Sequence, residues 1–79
     1  MVHKSKDSEI FGENIRFLRK AHGLSQKKMA KIMGISLYCL QKTEQGFFPN
    51  SLYMGAVLRT ARHCHLHPAL LFTPRDDRI

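Results

Sequence analysis

Two helix-length segments, residues 26–33 and 37–45, are separated only by Gly34-Ile35-Ser36, and that junction restricts the fold more than any other feature. Short helices that cross at a tight turn need a small residue where they approach, a glycine at the turn and a buried aliphatic on the second helix. Ala30, Gly34 and Leu40 supply these in register. Gly34 stops the first segment, because a left-handed residue past a helix end is cheap only without a side chain. Ser25 and Ser36 precede the two segments as N-caps. Met29, Ala30 and Met33 share an apolar face, and Lys27, Lys28 and Lys31 point away from it.

The flanking sequence also reads as helix. A first helix is expected to begin near Asp7 or Ser8, with Glu9 favourable to its dipole and Phe11, Ile15 and Leu18 on one face, and to end at Gly23. Gly46 ends the third, and Phe47-Phe48-Pro49-Asn50-Ser51 is a loop. Ser51 is expected to cap a fourth helix running to Cys64, with Met54, Val57, Leu58, Ala61 and Cys64 facing the core. Gly55 inside it costs about 1 kcal/mol of helix propensity relative to Ala. Pro68 suits the first turn of a short fifth helix, Pro68 to Phe72. No segment alternates like a strand, so the expected fold is all-α, a compact bundle of about five short helices. Residues 1–7 are expected to be a flexible N-terminal arm, residues 8–72 the domain and residues 73–79 a C-terminal tail.

Seventy-nine residues make one small domain, and the net charge of +7 favours polyanions. Between Asn14 and Thr43 stand seven lysines and arginines and no carboxylate: Arg16, Arg19, Lys20, Lys27, Lys28, Lys31 and Lys42. Positive charge is thus concentrated on the segment shaped to enter a DNA groove. An anionic membrane surface would instead call for one long amphipathic helix with aromatic anchors, so nucleic acid is preferred. No signal-peptide core or long apolar span appears, and the expected compartment is the cytoplasm, with Cys39 and Cys64 as free thiols.

At IRFLRKAHGLSQKKMAKIMGISLYCLQKTEQG, residues 15–46, the chain resembles the lambda-repressor-like, Cro-type helix–turn–helix domains, the xenobiotic-response-element family of regulators. The run Gly23-Leu24-Ser25-Gln26, then Met29-Ala30, then Gly34-Ile35-Ser36, then Glu44-x-Gly46 carries the likeness, which extends less tightly to Phe72. The resemblance implies a lambda-repressor-like fold in which the third helix reads the major groove and the second lies across the backbone. It also implies that Gln26 binds phosphate and buttresses the recognition helix, and that Ser36, Leu37, Tyr38, Gln41 and Lys42 face DNA. Arg19 and Glu44 match the family's structural ion pair. Independently of the likeness, Tyr38, Gln41, Lys42 and Gln45 share one helical face, and Lys27 lies on the basic side of the second helix.

The chain departs from the family where Leu37, Tyr38 and Cys39 replace more polar residues, and residues 49–66 run about two residues longer than the commonest spacing. Leu37 suits a thymine methyl, Lys42 guanine, and Gln41 or Gln45 adenine. Such an apolar tip is also compatible with a protein partner. His63-Cys64-His65-Leu66-His67 does not converge as a metal site, because Pro68 ends the helix there and closed sites want four ligands. Phe17 forms a second narrow stripe with Ile10 and Ala21, expected to pack on the fifth helix or to form a dimer contact. No catalytic cluster or cofactor loop is present, so neither enzyme activity nor a cofactor is expected. The expectation is a homodimeric, sequence-specific regulator of duplex DNA, a repressor. The alternatives are the antitoxin of a toxin–antitoxin pair and a protein-interaction module.

Overall fold

Ser5, rather than Asp7 or Ser8, caps the first helix. Its side chain accepts from the Ser8 backbone N–H at 3.2 Å while Ser8 Oγ accepts from the Ser5 N–H at 2.7 Å, a reciprocal cap that starts the helix at Lys6. The computed structural model describes residues 3–74. Its elements are β1 (His3–Lys4), α1 (Lys6–Ala21), α2 (Gln26–Met33), α3 (Leu37–Glu44), β2 (Phe47–Phe48), α4 (Met54–His63) and a terminal 3₁₀ helix (Pro68–Phe72). Residues 3–7 are therefore not a free arm. β1 pairs antiparallel with β2, Lys4 opposite Phe47 and His3 opposite Phe48. The ribbon is short enough that two-residue alternation was invisible in the sequence, and the fold is otherwise helical. Residues 1–2 of the expected arm and 75–79 of the expected tail lie outside the described residues.

The core is built from Phe11 and Ile15 of α1, Met29, Ala30 and Met33 of α2, Leu40 of α3, Ala56, Val57 and Ala61 of α4, and Leu71. Phe11 stacks on Phe72 at 4.9 Å between ring centroids and meets Phe48 edge-on at 5.8 Å. These rings join α1 to β2 and to the 3₁₀ helix. Gly12 sets the approach of α1 to α3, since a Cβ there would collide with the Thr43 carbonyl oxygen. Asn14 is buried on the same helix, and its Nδ2 donates to the carbonyls of Leu71 at 2.8 Å and Thr73 at 2.9 Å. That amide satisfies carbonyls left open where the 3₁₀ helix ends.

Three other expectations change. α4 begins at Met54, with Tyr53 at its N-cap and no side-chain cap, because Ser51 is taken into a turn closed by Leu52 N–H to Pro49 O at 3.0 Å. That later start turns Ala56, Val57, Thr60 and Ala61 inward and leaves Met54 and Leu58 66% and 41% exposed. Cys39 is fully buried, so the α3 tip is less apolar than its sequence implies, and Cys64 is only half-buried. Phe17 stays 49% exposed, lining an apolar depression with Leu18, Leu66, Leu70 and Leu71.

Candidate nucleic-acid interface

Gly34, in the left-handed region at φ 75°, ends α2 and allows α3 to start only three residues later. Ser25 and Ser36 cap the two helices by accepting from the backbone N–H groups of Lys28 at 3.1 Å and Cys39 at 3.0 Å. Ser36 therefore serves α3 as its cap while remaining exposed at its N-terminus. Met29, Ala30, Met33, Cys39, Leu40 and Thr43 face inward, and Thr43 Oγ1 donates to Cys39 O at 2.8 Å. The inward residues leave the opposite side of the pair to polar and charged groups.

A polar depression on that side is lined by Arg16, Arg19, Gln26, Gln41, Glu44 and Gln45. At its floor the Arg19 guanidinium grips the Glu44 carboxylate, Nε to Oε2 at 2.7 Å and Nη2 to Oε1 at 3.2 Å. Arg19 Nη1 also donates to Leu24 O at 3.0 Å. The two side chains are 13% and 5% exposed, so the pair is largely removed from water. Gln26 Nε2 donates to Glu44 Oε1 at 3.1 Å, and Gln41 Nε2 approaches Gln26 Oε1 at 3.5 Å. The carboxylate of Glu44, the last residue of α3, thus ties that helix to α1 and to the start of α2.

Along the rim, Tyr38 is 63% and Leu37 39% exposed at the first turn of α3, and Gln45 is exposed at its C-cap. Lys42 is half-buried, its ammonium 5.6 Å from the Tyr38 ring centroid and 5.6 Å from that of Phe47. Lys4 lies over the other reach of this cluster, 5.2 Å from the Phe47 centroid. Lys27, Lys28 and Lys31 are exposed on α2. Lys27 and Lys28 stand in its first turn with no acidic neighbour there, the end where a helix dipole repels cations and attracts anions. Phe47 and Lys4 were not legible as neighbours of the site. Their only signal was position: one follows the glycine that ends α3, and the other pairs with it through a two-residue ribbon.

The histidines lie elsewhere. His63 ends α4, His65 adopts φ 57°, and His67 Nδ1 caps the 3₁₀ helix by accepting from Ala69 N–H at 3.1 Å. Among the described residues no three His, Cys, Asp or Glu side chains gather as a metal site. Also among the described residues, no helix is long and apolar enough to cross a membrane.

YazB of Bacillus subtilis (strain 168), an uncharacterized HTH-type transcriptional regulator, is 38% identical over 55 residues, covering 70% of this chain and 75% of YazB. The chain belongs to the helix-turn-helix transcriptional regulators. This regulator also shares its fold with the restriction-modification controller protein C.AhdI from Aeromonas hydrophila. That crystal structure superposes with a TM-score of 0.71 and 31% identity, over 86% of this chain and 100% of C.AhdI. No protein-family model matches the regulator.

Proposed function

We propose that this helix-turn-helix protein binds duplex DNA sequence-specifically as a cytoplasmic transcriptional regulator, a repressor that blocks promoter access. The carrying observation is the fixed polar floor, Arg19–Glu44–Gln26–Gln41, beneath an α3 rim of exposed Tyr38 and Gln45 and half-buried Lys42. It locks the two helices of residues 26–46 into one unit while leaving base-reading side chains at its edge. α3 enters the major groove and α2 crosses the backbone, with Gln26, Lys27 and Ser36 as phosphate contacts and Leu37, Tyr38, Gln41, Lys42 and Gln45 at the bases. The lysines at the start of α2 sit against their own helix dipole, an arrangement that a bound phosphate relieves.

A single α3 reads few base pairs, so the active species is a homodimer on two-fold-related half-sites. Two apolar depressions support a shared surface. One is lined by Phe17, Leu18, Leu66 and Leu70, the other by Phe48, Leu52, Tyr53, Met54 and Phe72. The test is selection of duplexes from a random pool at stated salt. Enrichment of an inverted repeat is expected, and recovery of no preferred sequence would remove the specific-binding reading.

A further inference from the structure

Lys42 is the base-reading candidate whose direction the helix alone does not set, because four rotatable bonds separate its ammonium from α3. Two aromatic rings restrict it. Tyr38, one turn earlier on the same helix, and Phe47, beyond the helix end, each hold their ring centroid 5.6 Å from Lys42 Nζ. Cations are attracted to ring faces within about 6 Å, so the ammonium is drawn toward the space the two rings share. Phe47 is itself fixed by the ribbon, registered opposite Lys4, whose ammonium lies 5.2 Å from the same ring.

We infer that Phe47 is a positioning residue for base recognition: anchored by the N-terminal ribbon, it works with Tyr38 to preset the direction of the Lys42 ammonium. The inference rests on the DNA-binding reading above. A lysine pre-directed before binding loses less rotamer freedom when it meets a base. Guanine, with N7 and O6 as adjacent acceptors in the major groove, is the base edge that suits an ammonium. Specificity at that base pair therefore depends on residues outside the helix–turn–helix itself. An aliphatic side chain at position 47 keeps the packing but loses the attraction.

The test uses the full chain and the duplex it enriches from a random pool. Competition binding at fixed salt compares that duplex with single base-pair variants, and Lys42→Ala identifies the pair whose ranking depends on Lys42. At that pair Phe47→Leu is expected to lower discrimination about two- to fivefold, with other positions unchanged, and Phe47→Tyr is expected to retain it. Tyr38→Leu, at a well-exposed site that does not endanger folding, is expected to lower discrimination at the same pair. Combining Phe47→Leu with Lys42→Ala should add nothing at that pair. Full discrimination in folded Phe47→Leu would overturn the inference while leaving Lys42 as a base contact, and if that variant does not fold, full discrimination in Tyr38→Leu would do the same. A Lys42→Ala protein that ranks every site as before would overturn both the inference and the base-reading role of Lys42. An absence of any preferred duplex would overturn the DNA-binding reading on which they rest.

Discussion

Glu44 Oε1 accepts from Arg19 Nη2 at 3.2 Å and from Gln26 Nε2 at 3.1 Å, so a single carboxylate oxygen joins α1, α2 and α3. An ionised carboxylate only accepts hydrogen bonds. Gln26 must therefore turn its amide nitrogen to Glu44 and its oxygen toward Gln41. The ion pair thus does more than hold two helices together, because it also orients the first polar side chain of α2.

Breaking this pair is expected to be costly. Arg19 and Glu44 are largely buried, and loss of one partner strands the other charge, a change of about 3 kcal/mol or more. Glu44→Ala and Arg19→Ala should each show it in urea unfolding. The double variant should lose less than the sum of the two, as contacting groups do.

Gly12→Ala opposes two effects of known size. Alanine raises helix propensity by about 1 kcal/mol, but the added Cβ would meet the Thr43 carbonyl. Overpacking of this kind costs about 1–3 kcal/mol, and backbone cannot swing aside as a side chain can. Net destabilisation is expected by thermal or urea unfolding.

That contrast marks where the sequence was legible. The α2–α3 unit was readable because Ser25, Gly34 and Ser36 punctuate it locally and Ala30 and Leu40 fall in register. Both helix starts and the first helix end were found as expected. Positions governed by distant partners were not. Gly12 matters through Thr43, Ser8 through its hydroxyl donating to Gly46 O at 2.7 Å, and Asn14 through the carbonyls of Leu71 and Thr73. Met54 and Leu58 had core-like periodicity, but the Pro49–Leu52 turn delays α4 and leaves them outward. At the interface, the polar face of α3 was readable from periodicity alone. The Lys42–Phe47–Lys4 cluster was not, since it depends on a ribbon too short to leave a pattern.

Contacts to phosphate and to bases should separate by salt and by sequence. Each phosphate contact contributes about −0.9 to the log–log salt slope, so Lys27→Ala is expected to reduce its magnitude by about 1. Gln26→Ala should weaken all duplexes evenly, whereas Gln41→Ala and Lys42→Ala should each cost about 1–3 kcal/mol on the preferred site. Salt titration of binding to preferred and scrambled duplexes checks both.

Burial pushes the Cys64 thiol above its ordinary value of 9.0. In the unfolded chain the thiol ionises first, so the unfolded state sheds its proton at lower pH than the folded one. The associated stability is full below about 9 and is lost as pH rises through the folded value. Unfolding at pH 7 and pH 10 should show a smaller alkaline loss in Cys64→Ala than in the wild type.

The central claim is that this chain reads DNA through a pair of α3 helices, and one measurement tests it most directly. Duplexes enriched from a random pool are footprinted while bound stoichiometry is determined at saturation. The account predicts an inverted repeat with half-site centres about 34–36 Å apart and two chains per duplex. A footprint over one asymmetric half-site with a single chain bound would contradict it.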